Sequence, residues 1–229
     1  MVVGMLLLCW QCSADVTLLN DDFDGVALDP AWDVRLDLAP PASGWDYEVA
    51  SGSLRVTDVQ GYEQETWSSV HVRRECRAPG DFDLSCGIFW DSINSNPGAM
   101  QHLRVALIDT AGSEAALVMH YDCWATQHGV RYASVGSTQF QDSAHLPYIG
   151  TAVVRIERLG DTVSVYWDGE MILSGTEGAE VDSVDLSFWR YLRPGAYFGT
   201  ESVDYVTVTA PETAVESASW SRIKAMFGR

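Results

Sequence analysis

Hydrophobic positions recur at every second residue through most of this chain. Leu84, Cys86, Ile88 and Trp90 share one side of a run whose other side carries Ser85, Phe89 and Asp91. Leu103, Val105 and Leu107 alternate with Arg104, Ala106 and Ile108, and Leu117, Met119, Tyr121 and Cys123 alternate with Val118, His120, Asp122 and Trp124. Val154 and Ile156 then alternate with Arg155 and Glu157, and Val163, Val165 and Trp167 with Ser164 and Tyr166. Leu186, Phe188 and Leu192 oppose Ser187, Trp189 and Tyr191, and Val203–Val208 closes the series. Neighbouring side chains on a strand point to opposite sides, so each run predicts a strand that buries one side. Trp90 and Trp167 fall on buried sides.

Turn chemistry separates the runs at Ser51-Gly52, Pro79-Gly80, Asn96-Pro97-Gly98, Gly112, Gly160-Asp161, Asp168-Gly169 and Pro194-Gly195. Gly160-Asp161 and Asp168-Gly169 lie between β-rich runs at the spacing of tight hairpins. No run of helical period precedes the C-terminus. Many short antiparallel strands without intervening helices predict packed sheets or a barrel, and twelve to fourteen strands in a two-sheet sandwich fit the region.

Composition narrows the partners. The 229 residues hold 47% hydrophobic and 20% charged positions, enough for a core in one larger all-β domain. Asp and Glu number 32 against 14 Lys and Arg, a formal charge of −18. That balance excludes nucleic acid as the expected partner, because phosphate binding needs a basic surface. It also opposes docking on anionic lipid.

The ends differ from the body. Met1–Trp10 is almost wholly apolar and too short to span a bilayer, but it suits the core of a signal peptide, with Ser13-Ala14 as the cleavage site. The expected organisation is a signal peptide over 1–14, a sandwich over 15–210, a linker over 211–218 and a basic amphipathic helix over 219–229. The expected location is secreted, extracellular or at the cell surface by bacterial-type export. In the last segment Trp220, Ile223 and Phe227 form a helical stripe beside Arg222, Lys224 and Arg229. It resembles the terminal Trp-x-x-Ile-Lys-x-x-Phe tail of exported bacterial proteins, which implies docking on an export or surface-anchoring partner; docking on its own acidic sandwich is the alternative. Removal of residues 1–14 leaves Cys76, Cys86 and Cys123. Cys76 and Cys86 flank Pro79-Gly80-Asp81, so a cross-hairpin disulfide and two buried free thiols are both open readings.

Asp21-Asp22-Phe23-Asp24-Gly25 followed by Leu28-Asp29-Pro30-Ala31-Trp32 resembles the opening strand and loop of concanavalin A-like lectin/glucanase domains. Tyr47–Val56 is similar to their second hairpin, and Val203–Val208 to the closing strand that pairs beside the first. The resemblance implies a two-sheet antiparallel jelly-roll with a concave sheet that often holds glycans, here carrying a short C-terminal helix. It also implies a structural Ca²⁺ between the first and last strands, for which Asp22, Asp24 and Asp204 stand in matching positions.

The superfamily contains lectins, hydrolases and structural or adhesive modules. Laminarinase-type members carry Glu-x-Asp-x-x-Glu on one strand, and the nearest match is Glu180-Val181-Asp182-Ser183-Val184-Asp185, with Asp in the last place. No catalytic residues are assigned. The expected function is carbohydrate binding by an aromatic-lined concave sheet, with a structural or adhesive surface domain, and then a glycoside hydrolase, as alternatives. The candidate ligand-binding residues lie on the polar sides of their strands: Trp67, His71 and Arg73; Phe89 and Asp91; Arg104; His120, Asp122 and Trp124; Trp189 and Tyr191.

Overall fold

The structure is a computed structural model. It describes residues 15–37, 47–56, 66–91, 100–123, 128–142, 146–192 and 198–212. The signal-peptide segment, Trp124, most of the linker and the basic tail lie outside the described residues, as does any C-terminal helix formed by that tail.

Fifteen strands cover the described residues. The first six are β1 (Asp15–Asp21), β2 (Asp33–Asp37), β3 (Tyr47–Val49), β4 (Leu54–Val56), β5 (Thr66–Ala78) and β6 (Phe82–Asp91). β7 (Met100–Asp109), β8 (Glu114–Cys123), β9 (His128–Val135) and β10 (Thr138–Gln141) follow. The chain ends with β11 (Ile149–Leu159), β12 (Thr162–Trp167), β13 (Glu170–Thr176), β14 (Val181–Leu192) and β15 (Glu201–Pro211). Two antiparallel sheets result: an eight-stranded one ordered β13-β12-β11-β6-β15-β4-β3, with β1 on β15, and a seven-stranded one ordered β10-β9-β8-β7-β14-β5-β2. None of the described helices is long and apolar enough to cross a membrane.

The predicted turns explain the local connections. In the β11–β12 loop Gly160 takes φ +62°, the positive first position of a type II′ turn. In the β12–β13 loop Asp168 and Gly169 both take positive φ (49° and 80°), as type I′ requires. β3 and β4 form the second hairpin and β15 pairs with β1, as the resemblance implies.

One core fills the space between the sheets. Val70, Val72, Leu103, Val105, Leu186 and Phe188 enter it from the seven-stranded sheet, and Leu84, Ile88, Val154, Ile156 and Val206 from the other, all at most 1% exposed. Trp90 and Trp167 are buried there with ring centroids 5.8 Å apart. Pro79-Gly80 does not close a hairpin: β5 belongs to one sheet and β6 to the other. Cys76 and Cys86 are free, buried thiols. Burial, helped by Asp182, pushes Cys76 up to about 12, and burial and Asp204 likewise raise Cys86.

Candidate functional site

Antiparallel register places directly opposed residues on the same side of a sheet. The outer face of the seven-stranded sheet can therefore be read in rows. The first row runs from Trp67 through Tyr191 to Met100. The second runs from Asp37 through Ser69, Trp189 and His102 to Tyr121. The third joins Arg35, His71, Ser187, Arg104, Met119 and Tyr132. The fourth joins Asp33, Arg73, Asp185, Ala106, Leu117 and Ser134.

Six of the candidate residues, Trp67, His71, Arg73, Arg104, Trp189 and Tyr191, thus share one face. A groove of about 640 Å³ opens on it, walled by Trp67, Trp189 and Arg104 and floored by Leu117, Met119 and Tyr132. The Trp67 ring lies 5.2 Å from Tyr191, 5.1 Å from His102 and 6.3 Å from Trp189. His102 continues the cluster to Tyr121 at 4.4 Å. Trp67 remains 41% exposed. The Arg104 guanidinium lies 5.2 Å from the Trp189 ring and pairs with Glu114, which also lines the groove.

Hydrogen bonds fix the polar part of this face. His71 Nδ1 lies 2.9 Å from Asp185 Oδ2 and Nε2 lies 3.2 Å from Ser69 Oγ. The carboxylate can only accept, so Nδ1 donates to it, and Nε2 shares a hydrogen bond with the Ser69 hydroxyl. This is the order of a serine-hydrolase triad. Ser69, however, is 1% exposed, which denies its oxygen a path to a substrate. The relay instead orients His71, whose ring braces Trp189 edge-on at 5.4 Å. Arg73 Nε donates to Ser183 Oγ at 2.6 Å, and its Nη2 lies 3.5 Å from Asp182. Burial, then Arg104, Arg190 and His120, lowers His102 to about 3, so the ring is neutral at physiological pH.

Four candidates sit elsewhere. His120 and Asp122 point into the core, 0% and 4% exposed, because β8 presents Leu117, Met119 and Tyr121 outward, the reverse of the expected orientation. Charged partners inside explain the inversion. Arg190, 1% exposed, pairs with the fully buried Glu201, whose Oε1 lies 3.8 Å from His120 Nδ1, and His120 stacks on Trp90 at 4.6 Å. Burial and the nearby Glu201 push Asp122 up to about 7, against the opposing pull of Arg190. Phe89 and Asp91 lie on the outer face of the eight-stranded sheet, across the sandwich from the groove. The sequence reading missed His102, Tyr121 and Tyr132. His102 was signalled by sharing parity with Arg104, and the inverted β8 by Arg190 standing in step with Leu186 and Phe188.

The carboxylates Glu180, Asp182 and Asp185 do not form a catalytic row. Glu180 is exposed ahead of β14, Asp182 lies beside Arg73 and Arg77, and Asp185 is held by His71. Glu114 lines the groove and pairs with Arg104, while Asp185 stands two strands away on β14. Asp22, Asp24 and Asp204 are exposed, and no three His, Cys, Asp or Glu side chains gather as metal ligands among the described residues. Asp21, next to Asp22, accepts from the Phe23 amide at 2.9 Å and from Trp32 Nε1 at 2.7 Å.

No family model and no curated protein matches the chain. Solved structures do. The CBM2 module of the evolved Dit of Lactobacillus casei BL23 phage J-1 aligns at a TM-score of 0.59 and 14% identity, over 85% of this chain and 95% of that one. A β-1,3-glucanase from Mycobacterium marinum aligns at 0.59 and 13%, over 84% and 98%. The Bacillus licheniformis β-glucanase aligns at 0.56 and 10%, over 84% and 97%. At these identities the likeness concerns the fold, and it agrees with the β1–β15 pairing and the two-sheet architecture: the chain has a two-sheet antiparallel jelly-roll sandwich fold like theirs.

Proposed function

We propose that the protein binds carbohydrate along the groove on the outer face of its seven-stranded sheet. The observation that carries this reading is the continuous ring surface from Tyr191 through Trp67 to His102 and Tyr121, open to solvent at Trp67 beside a groove of about 640 Å³. Sugar rings present C–H faces to aromatic rings and hydroxyls to fixed polar groups. Trp67 and Trp189 supply the platform, and Arg104, Ser134 and Gln139 the hydrogen-bonding rim. The solved structures of like fold include one named as a carbohydrate-binding module and others named as glucanases, which supports the class of ligand. The apolar N-terminal segment adds export to the proposal, placing the groove where polysaccharide is met.

Isothermal titration against a panel of soluble polysaccharides tests the reading. Trp67→Ala and Trp189→Ala should each weaken binding about tenfold or more, ~1.4 kcal/mol. Affinity unchanged in both variants would place the site off this face, and no binding across the panel would favour the structural or adhesive alternative. Release of reducing sugar from the same panel would instead point to a hydrolase.

A further inference from the structure

A second depression, about 340 Å³, lies on the outer face of the eight-stranded sheet. Register builds it from below. Ser202 of β15 pairs with Arg55 of β4 on one side and Phe89 of β6 on the other. A small side chain between two long ones leaves a trough, with its walls two strand spacings, about 10 Å, apart. Ser202 and Ser53 form a buried hydroxyl floor, 3% and 5% exposed. Thr200 and Asp91 close one end, where the Asp91 amide donates to the Thr200 carbonyl at 2.9 Å. Asp204 stands at the other end, in the bulge between Val203 and Tyr205.

Arg55 is the exceptional group. Every other described arginine has a carboxylate, hydroxyl or carbonyl partner. Among the described residues Arg55 has none, and neither has the side chain of Asp204 in the same trough. In a chain with 32 acids to 14 bases an unpaired guanidinium is not for want of carboxylates. A guanidinium only donates and a carboxylate only accepts. A ligand that satisfies both must do both, as adjacent hydroxyl groups do. The two carboxylates disfavour an anionic ligand, and Phe89 offers a ring to a C–H face.

We infer that this trough is a second sugar-binding site, holding one neutral pyranose unit between Arg55, Asp204 and Phe89. Its volume lies at the small end of ligand pockets, about 300–1,000 Å³. It stands apart from the groove and does not depend on the function proposed for that face.

Amide chemical-shift titration of the full chain with glucose, galactose, mannose, N-acetylglucosamine and glucuronate separates the two sites. At least one neutral sugar should shift Arg55, Thr200 and Ser202 saturably, and equally so in Trp67→Ala. Arg55→Gln and Phe89→Ala should each weaken that response at least tenfold, with the remaining spectrum unchanged as evidence of folding. Silence at these amides with all four neutral sugars, a response to glucuronate alone, or a response indifferent to both substitutions overturns the inference. Failure of the groove reading would appear separately, as unresponsive His102 and Tyr121 amides with the polysaccharide panel.

Discussion

Asp122 and His102 sit on neighbouring strands, on opposite sides of one sheet, and burial moves their acidities in opposite directions. The Asp122 carboxyl rises from 3.8 to about 7, so the folded protein holds a proton that the unfolded chain has lost across that window. Its contribution to stability therefore falls as pH rises from about 4 to about 7. His102 drops from 6.5 to about 3, so between those values the unfolded chain binds a proton that the folded one refuses. That contribution falls as pH is lowered. Where the windows overlap the two slopes oppose each other. Asp122→Asn removes one of them, and its urea midpoint should climb from pH 4 to pH 6.5 more steeply than that of the parent. Parallel profiles would show that Asp122 is ionised inside the fold.

Within strands, glycines mark where the sheets admit large rings. Gly150 on β11 opposes Trp90 on β6, and a Cβ there would meet the Trp90 ring at 2.4 Å. Trp90 cannot retreat, since it stacks on His120 and donates from Nε1 to the Pro147 carbonyl at 2.9 Å. Gly150→Ala should cost about 1–3 kcal/mol by overpacking, read as a lowered denaturant midpoint at unchanged slope; a midpoint within error of the parent would mean that the ring has room to move. Period-two alternation located the strands and the tight turns because both are local. It set β7 and β14 the right way out, since Leu103–Leu107 and Leu186–Phe188 are unambiguous. On β8 the more apolar side, with Leu117, Met119 and Tyr121, faces outward, and the side with His120 and Asp122 faces the core because Arg190 and Glu201, far away in the chain, are buried there. Sheet membership is equally non-local: nothing near Phe89 tells that β6 pairs with β11 and β15 and so faces away from the groove.

For the molecule as a whole, the expected calcium ion bears on how the first strand is held to the last. With no triad of side-chain ligands gathered among the described residues, a cation at Asp22, Asp24 and Asp204 would draw on backbone carbonyls to complete its shell. If it binds, excess EDTA should lower the Tm by several degrees and added calcium should restore it; indifference to both removes it from the account. The pairing of β1 with β15 is a backbone ladder: Asp15 faces Pro211 across it, and eight positions of β15 pair with β6 on the other side. The two ends of the described sandwich therefore lie side by side. A sandwich whose two ends lie side by side can be spliced into a host loop, or its ends joined and reopened elsewhere, without pulling either sheet apart.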